Sequence, residues 1–164
     1  MNGLLIGRFQ PFHFGHLNAL KFALSKVDKL WIGLGSTNKP LQKNNPFSVE
    51  ERRKMILDSI DNSIKNKIQI FPIPDFEDHK KWADYIDTIV PSYDIVFTND
   101  DMTKYLYSKR GLLTSPIPFT KRDVLSGTNI RDLILSDQSW EQFVPEGTRK
   151  FLKETNIKQR LKNL

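Results

Sequence analysis

The residues best suited to chemistry lie in one short stretch near the start of the sequence, GRFQPFHFGH at positions 7–16. The chain contains three histidines, and two of them, His13 and His16, stand here with Gly15 between them and Arg8 before them. Imidazole and guanidinium groups donate hydrogen bonds that suit phosphate oxygens. Gly15 has no side chain to keep a phosphate from the backbone. The stretch therefore predicts a phosphate-binding turn at the start of a helix, whose free N–H groups and dipole would act on the same anion.

The two histidines have two other interpretations. A metal site would need at least a third ligand, and the neighbouring residues supply none. The two imidazoles could also bond only the backbone of their own loop. Phosphate binding is favoured because an apolar strand pattern, a turn, a glycine and a helix pattern follow one another here.

A second stretch of the same character is SGTNIR, which runs from Ser126 to Arg131. Ser126, Gly127 and Thr128 offer hydroxyls and free N–H groups at the start of a predicted helix. Arg131, one turn later, supplies a forked cation that matches phosphate oxygens. The alternative is an ordinary helix cap followed by a surface arginine.

The elements that must position these residues alternate along the chain between strand and helix patterns. Five strands are predicted, in the segments LLIGRF, KLWIGLG, KIQIFPIP, YDIVFTND and LLTSPIPF. One of the intervening helices opens with Ser48 and Glu51, the residues of a capping box. The alternation predicts an α/β fold, a Rossmann-like doubly wound parallel sheet of about five strands. Such sheets bind ligands at the carboxyl ends of their strands.

The composition limits the classes of protein to consider. Of 164 residues, 38% are hydrophobic and 27% charged, so we expect a single domain over residues 1–164, with a helical C-terminal segment in residues 139–164. There is no cysteine, which excludes disulfides and thiolate metal sites. Neither a signal sequence nor an apolar run long enough to span a bilayer is present, so a cytoplasmic protein is expected. The net charge of +6 favours anionic partners.

The two phosphate-binding stretches resemble the motifs of a known enzyme superfamily. GRFQPFHFGH is similar to the HxGH signature of the nucleotidyltransferases, and SGTNIR resembles their second phosphate motif. In its Gly-Arg-Phe-Gln-Pro form, the first motif resembles the archaeal-type nicotinamide mononucleotide (NMN) adenylyltransferases. The segments GLGSTN, NPFSVEERRKMI, FPIPD and WEQFVPEGTRKFL extend the resemblance over nearly the whole chain. It implies transfer of AMP from ATP to NMN, which gives NAD and pyrophosphate.

The resemblance also implies a set of site residues. It gives catalytic roles to His13, His16 and Arg131. The residues expected to bind substrate are Arg8, Phe9, Gln10, Gly15, Ser36, Arg52, Trp82, Asn99, Ser126 and Thr128. Mg²⁺ is expected to be carried with ATP rather than by protein ligands. Members of the family form hexamers, so a homo-oligomer is implied by analogy.

For three of these residues the sequence leaves a plainer alternative open. Trp82 either stacks on the nicotinamide ring or packs on a helix face with Ile86 and Val90. Asn99, with Asp100 beside it, either contacts adenosine or caps the next helix. Arg52 either lies near the nucleotide phosphates or belongs to a solvated charge run.

The sequence leaves two rival functions open. One is a sister nucleotidyltransferase that uses phosphopantetheine, FMN or cytidylyl chemistry; Trp82 and the Arg-Phe-Gln sequence weigh against it. The other is a non-enzymatic nucleic-acid binder that uses the basic tail IKQRLKNL. The scattered aromatic residues, which form no recognisable base-stacking motif, weigh against it.

Overall fold

A five-stranded parallel sheet forms the centre of the fold in the computed structural model, which describes residues 1–118 and 120–164. The strand order is β3-β2-β1-β4-β5 and every pairing is parallel. The strands are β1 (Asn2–Gly7), β2 (Lys29–Leu34), β3 (Ile68–Pro72), β4 (Ile95–Phe97) and β5 (Leu113–Ser115). The predicted α/β class and five-stranded parallel sheet are confirmed. The order reverses at β1, which pairs with β2 on one side and β4 on the other.

Helices follow the strands as the alternating pattern predicts. In the described residues they are α1 (Phe14–Leu24), α2 (Val49–Leu57), α3 (Asn62–Lys65), α4 (His79–Ile89), α5 (Asp101–Lys109), α6 (Gly127–Leu135), α7 (Glu146–Glu154) and α8 (Ile157–Asn163), with a 3₁₀ turn at Glu141–Phe143. The capping box at the start of α2 is present: Ser48 accepts the N–H of Glu51, and the Glu51 carboxylate accepts the N–H of Ser48.

The described residues group into two compact units. The sheet unit comprises Met1–Gly7, Ala19–Lys39 and Ser63–Pro118, and the motif unit comprises Arg8–Asn18, Pro40–Asn62 and the described part of Phe119–Leu164. The predicted single domain over residues 1–164 remains a prediction.

The sheet unit contains all five strands and a core of apolar residues supplied by strands and helices. Leu4 of β1 and Val96 of β4 are 0% and 1% exposed, because both faces of a parallel sheet are covered. Helix α4 contributes Ala83 and Ile86 to this core, and α5 contributes Tyr107. The motif unit contains α2, α6, α7 and α8 together with the turn that carries the first motif.

Two of the predicted strands end earlier in the structure, and the predicted helical segment at the C-terminus includes the basic tail. The first strand stops at Gly7 rather than Phe9, because Phe9 has a φ of +53°, which a strand does not accommodate. The fifth strand ends at Ser115, where Pro116 removes a backbone donor; the last predicted residue, Phe119, lies outside the described residues. The basic tail is helical, and its first turn is capped by the Asn156 side chain, which accepts the N–H of Gln159.

Candidate active site

The two motif histidines form a locked pair at the start of α1. The Nδ1 atom of His16 accepts the backbone N–H of His13 at 3.2 Å, and the Nδ1 atom of His13 accepts the N–H of His16 at 3.3 Å. The rings stack with centroids 3.6 Å apart and planes 21° from parallel. The alternative that the histidines bond their own backbone is therefore observed, but it uses only one nitrogen of each ring.

The second nitrogen of each ring is available as an uncharged donor. Burial lowers the pKa of His13 to about 4. Burial, followed by the charge that His13 would carry, lowers the pKa of His16 well below its usual value. Since each Nδ1 accepts an N–H, the proton of each neutral ring lies on Nε2. Neither Nε2–H donates to another residue in the part of the chain that the structure describes.

Gly15 makes room for an imidazole. A Cβ atom at this position would lie 2.8 Å from Cε1 and 2.9 Å from Nδ1 of His13. The missing side chain of Gly15 thus leaves room for the His13 ring, and the approach of a phosphate to the Gly15 backbone remains a prediction. Two aromatic rings complete the surroundings of His16: Phe9 meets it edge-on at 4.7 Å, and Phe12 stacks against it at 5.9 Å between centroids. Phe9, expected to bind substrate, is 4% exposed.

Gln10 ties the first motif to a neighbouring loop of the same unit. Its Nε2 donates to Oδ1 of Asn45 at 2.6 Å and to the carbonyl of Phe47 at 3.1 Å, and its Oε1 accepts the N–H of Phe47 at 2.9 Å. Gln10 is 4% exposed and Phe47 is fully buried. The side chain expected to bind substrate is thus occupied in holding the turn. The role of Asn45 as a partner of Gln10 was not predicted, because the polar loop around it has no sequence pattern beyond its two prolines.

Arg52 is buried beneath the same turn. It is 1% exposed, and its Nη1 donates to the carbonyl of Arg8 at 2.8 Å while its Nε donates to the carbonyl of Ser48 at 3.3 Å. Burial first, and then the charge of Arg8, lowers the pKa of Arg52 to about 10. The alternative that Arg52 belongs to a solvated charge run is therefore wrong, because its side chain is buried and donates to backbone carbonyls.

The second motif opens α6 as expected. Ser126 is the N-cap and accepts the N–H of Asn129 at 3.1 Å. Arg131 donates through Nη1 to the carbonyl of Gln10 at 2.5 Å and through Nη2 to the hydroxyl of Thr128 at 3.3 Å. A Cβ atom on Gly127 would lie 2.8 Å from both Arg131 Nη1 and the Gln10 carbonyl oxygen. The two motifs are therefore in direct contact within the motif unit.

This part of the motif unit is strongly cationic. Burial and then the Arg8 charge lower the pKa of Arg131, as they do for Arg52. Arg8 is exposed, and neither Arg8 nor Arg131 forms an ion pair with a carboxylate among the described residues. Asp132 offsets only part of this effect at Arg131, and guanidinium groups that repel one another suit an anionic ligand. No cluster of three or more metal-ligating side chains occurs within residues 1–118 and 120–164.

A separate cavity of about 720 Å³ lies in the sheet unit. Trp82 is half-buried in its wall: the ring packs on the core and meets Tyr107 edge-on at 6.4 Å. Both interpretations of Trp82 are compatible with this position. The cavity is lined by Asn38, Lys39, Asp75, Phe76, Glu77, His79, Trp82, Asp100 and Thr103. Of the acidic side chains in this lining, Asp75 and Glu77 were not singled out from the sequence, since isolated carboxylates in a loop carry no pattern.

Ser36 and Asn99 are both engaged inside the sheet unit. Ser36 has a φ of +57° and donates its hydroxyl to Oδ1 of Asp75 at 3.1 Å. Asn99 exchanges two hydrogen bonds of 2.8 Å with the backbone of Ile117. The helix after β4 is capped by Asp100, which accepts the N–H of Thr103, and not by Asn99. The structure therefore gives Asn99 a loop-fastening contact.

The sequence matches a known family over most of its length. The cytidylyltransferase-like family profile matches residues 4–160. The nicotinamide-nucleotide adenylyltransferase of Thermococcus onnurineus is 36% identical to the chain, over 99% of the chain and 87% of that protein. The protein of the same description from Archaeoglobus fulgidus is 33% identical, over 100% of the chain and 97% of that protein.

Solved structures agree with these sequence matches. A bifunctional NMN adenylyltransferase/ADP ribose pyrophosphatase from Francisella tularensis, crystallised with AMP and a manganese ion, superposes with a TM-score of 0.82 at 26% identity. The match covers 98% of this chain and 51% of that protein, so the chain spans about half of its bifunctional neighbour. No helix among the described residues is both long and apolar enough to cross a membrane.

Proposed function

The chain belongs to the nicotinamide-nucleotide adenylyltransferases of the cytidylyltransferase-like family, and from this premise we propose that it transfers AMP from ATP to NMN. The products are NAD and pyrophosphate. The observation that carries the proposal is the contact between the two motifs, which places two neutral imidazole donors and the guanidinium groups of Arg8 and Arg131 in one cationic unit.

The reaction that we propose is a displacement at phosphorus. A 5′-phosphate oxygen of NMN forms a bond to the α-phosphorus of ATP, and the bond from that phosphorus to the bridging oxygen breaks. Pyrophosphate leaves with the bonding electrons. Because the nucleophile is already an anion, no general base is required, and catalysis rests on positioning and charge stabilisation.

The motif residues divide this work between them. The Nε2–H groups of His13 and His16 donate to phosphate oxygens, with His16 nearest the transferring group. Arg8 and Arg131 hold the triphosphate and the departing pyrophosphate. The N–H groups of Gly127 and Thr128 at the start of α6 add further donors. Arg52 and Gln10 act through the backbone of the turn, which they hold from below.

We assign the divalent cation to the nucleotide. The donors of the two motifs are N–H groups and cations, which do not ligate a metal, so the chain's residues do not fit a protein-held ion at this place. Mg²⁺ would enter as part of the substrate, the Mg–ATP complex. The crystallised neighbour holds a manganese ion, which supports a divalent metal in the family.

We assign the acceptor's nicotinamide ring to the cavity beside Trp82. The pyridinium ring of NMN is a cation, and an indole face attracts a cation by roughly 0.5–2 kcal/mol. Three carboxylates line the same cavity, those of Asp75, Glu77 and Asp100, and they outnumber the one lysine of the lining, Lys39, so their potential favours a cation. A cavity with this lining suits a cationic ring better than the uncharged rings of the rival acceptors.

Release of pyrophosphate from ATP across a panel of acceptors tests the proposal. We expect turnover with NMN and little with phosphopantetheine or FMN. Turnover with one of these and not with NMN would replace the proposed acceptor. A protein that binds RNA and releases no pyrophosphate with any acceptor would overturn the enzyme assignment. The homo-oligomer and the cytoplasmic location remain predictions.

A further inference from the structure

Arg160, near the end of the chain, makes an unusually complete set of contacts for a residue outside both motifs. It lies on α8, and its Nη1 and Nη2 donate to the two oxygens of the Glu51 carboxylate at 2.8 and 2.9 Å. Nη1 also donates to the carbonyl of Pro46 at 3.2 Å. Planar bidentate pairing of this kind fixes orientation as well as distance.

Glu51 links this pair to the start of α2. The Oε1 atom that accepts from Arg160 also accepts the N–H of Ser48 at 3.0 Å, as the capping box requires. Burial alone would raise the pKa of Glu51, but the hydrogen bonds from Arg160 and Ser48 lower it on balance. The Glu51 hydrogen bond raises the pKa of Arg160. Both groups are therefore charged at neutral pH.

The segment between Pro46 and Ser48 passes this constraint to the first motif. Phe47, the residue between them, exchanges two hydrogen bonds with the Gln10 side chain. The Ser48 carbonyl accepts the Nε of Arg52, whose Nη1 holds the Arg8 carbonyl. Two parallel chains of hydrogen bonds thus run from Arg160 to the turn that precedes His13, both within the motif unit.

We propose that Arg160 is a positioning residue for the phosphate-binding turn, through Glu51 and the segment 46–48. The proposal rests on the proposed function for its catalytic consequence. Arg160 touches no substrate in it; its role is to keep Gln10 and the Arg8 carbonyl in place, so that Arg8 and the histidine pair keep their alignment. An ångström of misplacement at such a site costs up to about 100-fold in rate.

The experiment compares Arg160→Gln with Lys158→Gln. Lys158 is a matched control because it lies on the same helix, has similar exposure and pairs with Asp137, and among the described residues it forms no hydrogen bond with the segment 46–48. We expect Arg160→Gln to lower kcat between about 10- and 100-fold and to raise KM for ATP, with KM for NMN unchanged. Arg160→Lys keeps the charge without the fork and should recover part of the loss. Lys158→Gln should leave the kinetics at the wild-type level.

A second readout does not depend on catalysis. The chain has three histidines, so the imidazole NMR signals of His13 and His16 are readily separated from that of His79, which lies in the sheet unit. We expect Arg160→Gln to shift the first two signals and leave His79 unchanged. Unshifted signals with wild-type kcat would overturn the positioning role, as would equal rate losses in the two glutamine variants. Absence of pyrophosphate release by the wild type would instead overturn the proposed function and leave the NMR test valid.

Discussion

At the scale of single residues, the two nitrogens of each motif histidine have different roles. The Nδ1 atoms are committed to the backbone and the Nε2 atoms are not. A phosphate-binding histidine is often assumed to be cationic, but burial keeps both rings neutral here. The positive charge of the site comes from arginines, and the imidazoles contribute directed donors.

Two amide substitutions at His16 separate the roles of its nitrogens. His16→Asn keeps an acceptor near the Nδ1 position and removes the Nε2 donor, so we expect kcat to fall by about 10²-fold or more with the fold intact. His16→Gln places an amide N–H near Nε2 and should lose less. Steady-state kinetics with ATP and NMN measures both. Near-normal kcat in a folded His16→Asn protein would remove this donor from the mechanism.

Stability should depend on the protonation of His13. Its pKa is about 4 in the folded chain and near 6.5 when unfolded, so the unfolded chain binds more protons between these values. The free energy of unfolding is therefore expected to fall as the pH is lowered through this window, by on the order of 2 kcal/mol from His13 between pH 7 and pH 5.

Urea unfolding at the two pH values checks this expectation. His13→Asn has no group that titrates in this range, so its loss of stability on acidification should be smaller than that of the wild type. An identical pH dependence in wild type and His13→Asn would contradict the buried neutral ring.

At the scale of elements, α4 has two faces with different tasks. Ala83 and Ile86 are fully buried in the core, and Trp82 bridges the core and the cavity. Arg110 fastens the exposed side of this helix, donating to Asp84 at 2.6 Å and to Asp87 at 3.0 Å. The helix is therefore anchored on both sides, which fixes the position of Trp82.

Trp82→Leu tests whether the indole of Trp82 stacks on the nicotinamide ring, as proposed, or only packs on the core. An apolar side chain is kept and the aromatic face is lost, so we expect KM for NMN to rise about 3- to 30-fold while KM for ATP stays the same. Trp82→Phe should lose less. Reduced NMN, whose ring is uncharged, should bind the wild type less well than NMN, and this preference should shrink in Trp82→Leu.

The control for Trp82→Leu is Trp31→Leu. Trp31 packs edge-on against Phe71 in the same unit and donates to the Ser92 carbonyl, outside the cavity lining. Both variants should lose stability, but Trp31→Leu should leave KM for NMN unchanged. An equal rise in KM for NMN in both variants would indicate that Trp82 only packs and does not stack on the ring.

The elements were largely predictable and the contacts of the site were not. Strand and helix patterns, the Ser48–Glu51 capping box and the Ser126 cap depend on residues close in sequence, and these were confirmed. The Gln10–Phe47 and Arg131–Gln10 hydrogen bonds join residues 37 and 121 positions apart, which periodicity cannot reveal. The left-handed backbone of Phe9 had no signal either, since most such positions hold glycine or asparagine.

At the scale of the whole molecule, the net charge of +6 should assist capture of an anionic nucleotide. We expect kcat/KM for ATP to fall when salt is raised from about 20 mM to about 300 mM, over which the screening length shortens several-fold. NMN has a single phosphate and a compensating ring cation, so its kcat/KM should fall less. A single-stranded RNA should compete only weakly with ATP at the higher salt; tight binding there would favour the nucleic-acid alternative.

The way in which the chain is divided between its two units also has a genetic consequence. Each unit is assembled from three separated stretches of sequence, and α1 begins in one unit and ends in the other. No single gene fusion or truncation could add or remove one unit and leave the other whole. A gene with this arrangement passes on the unit with the two motifs and the unit with the cavity together, so a sequence change in either is selected in the presence of the other.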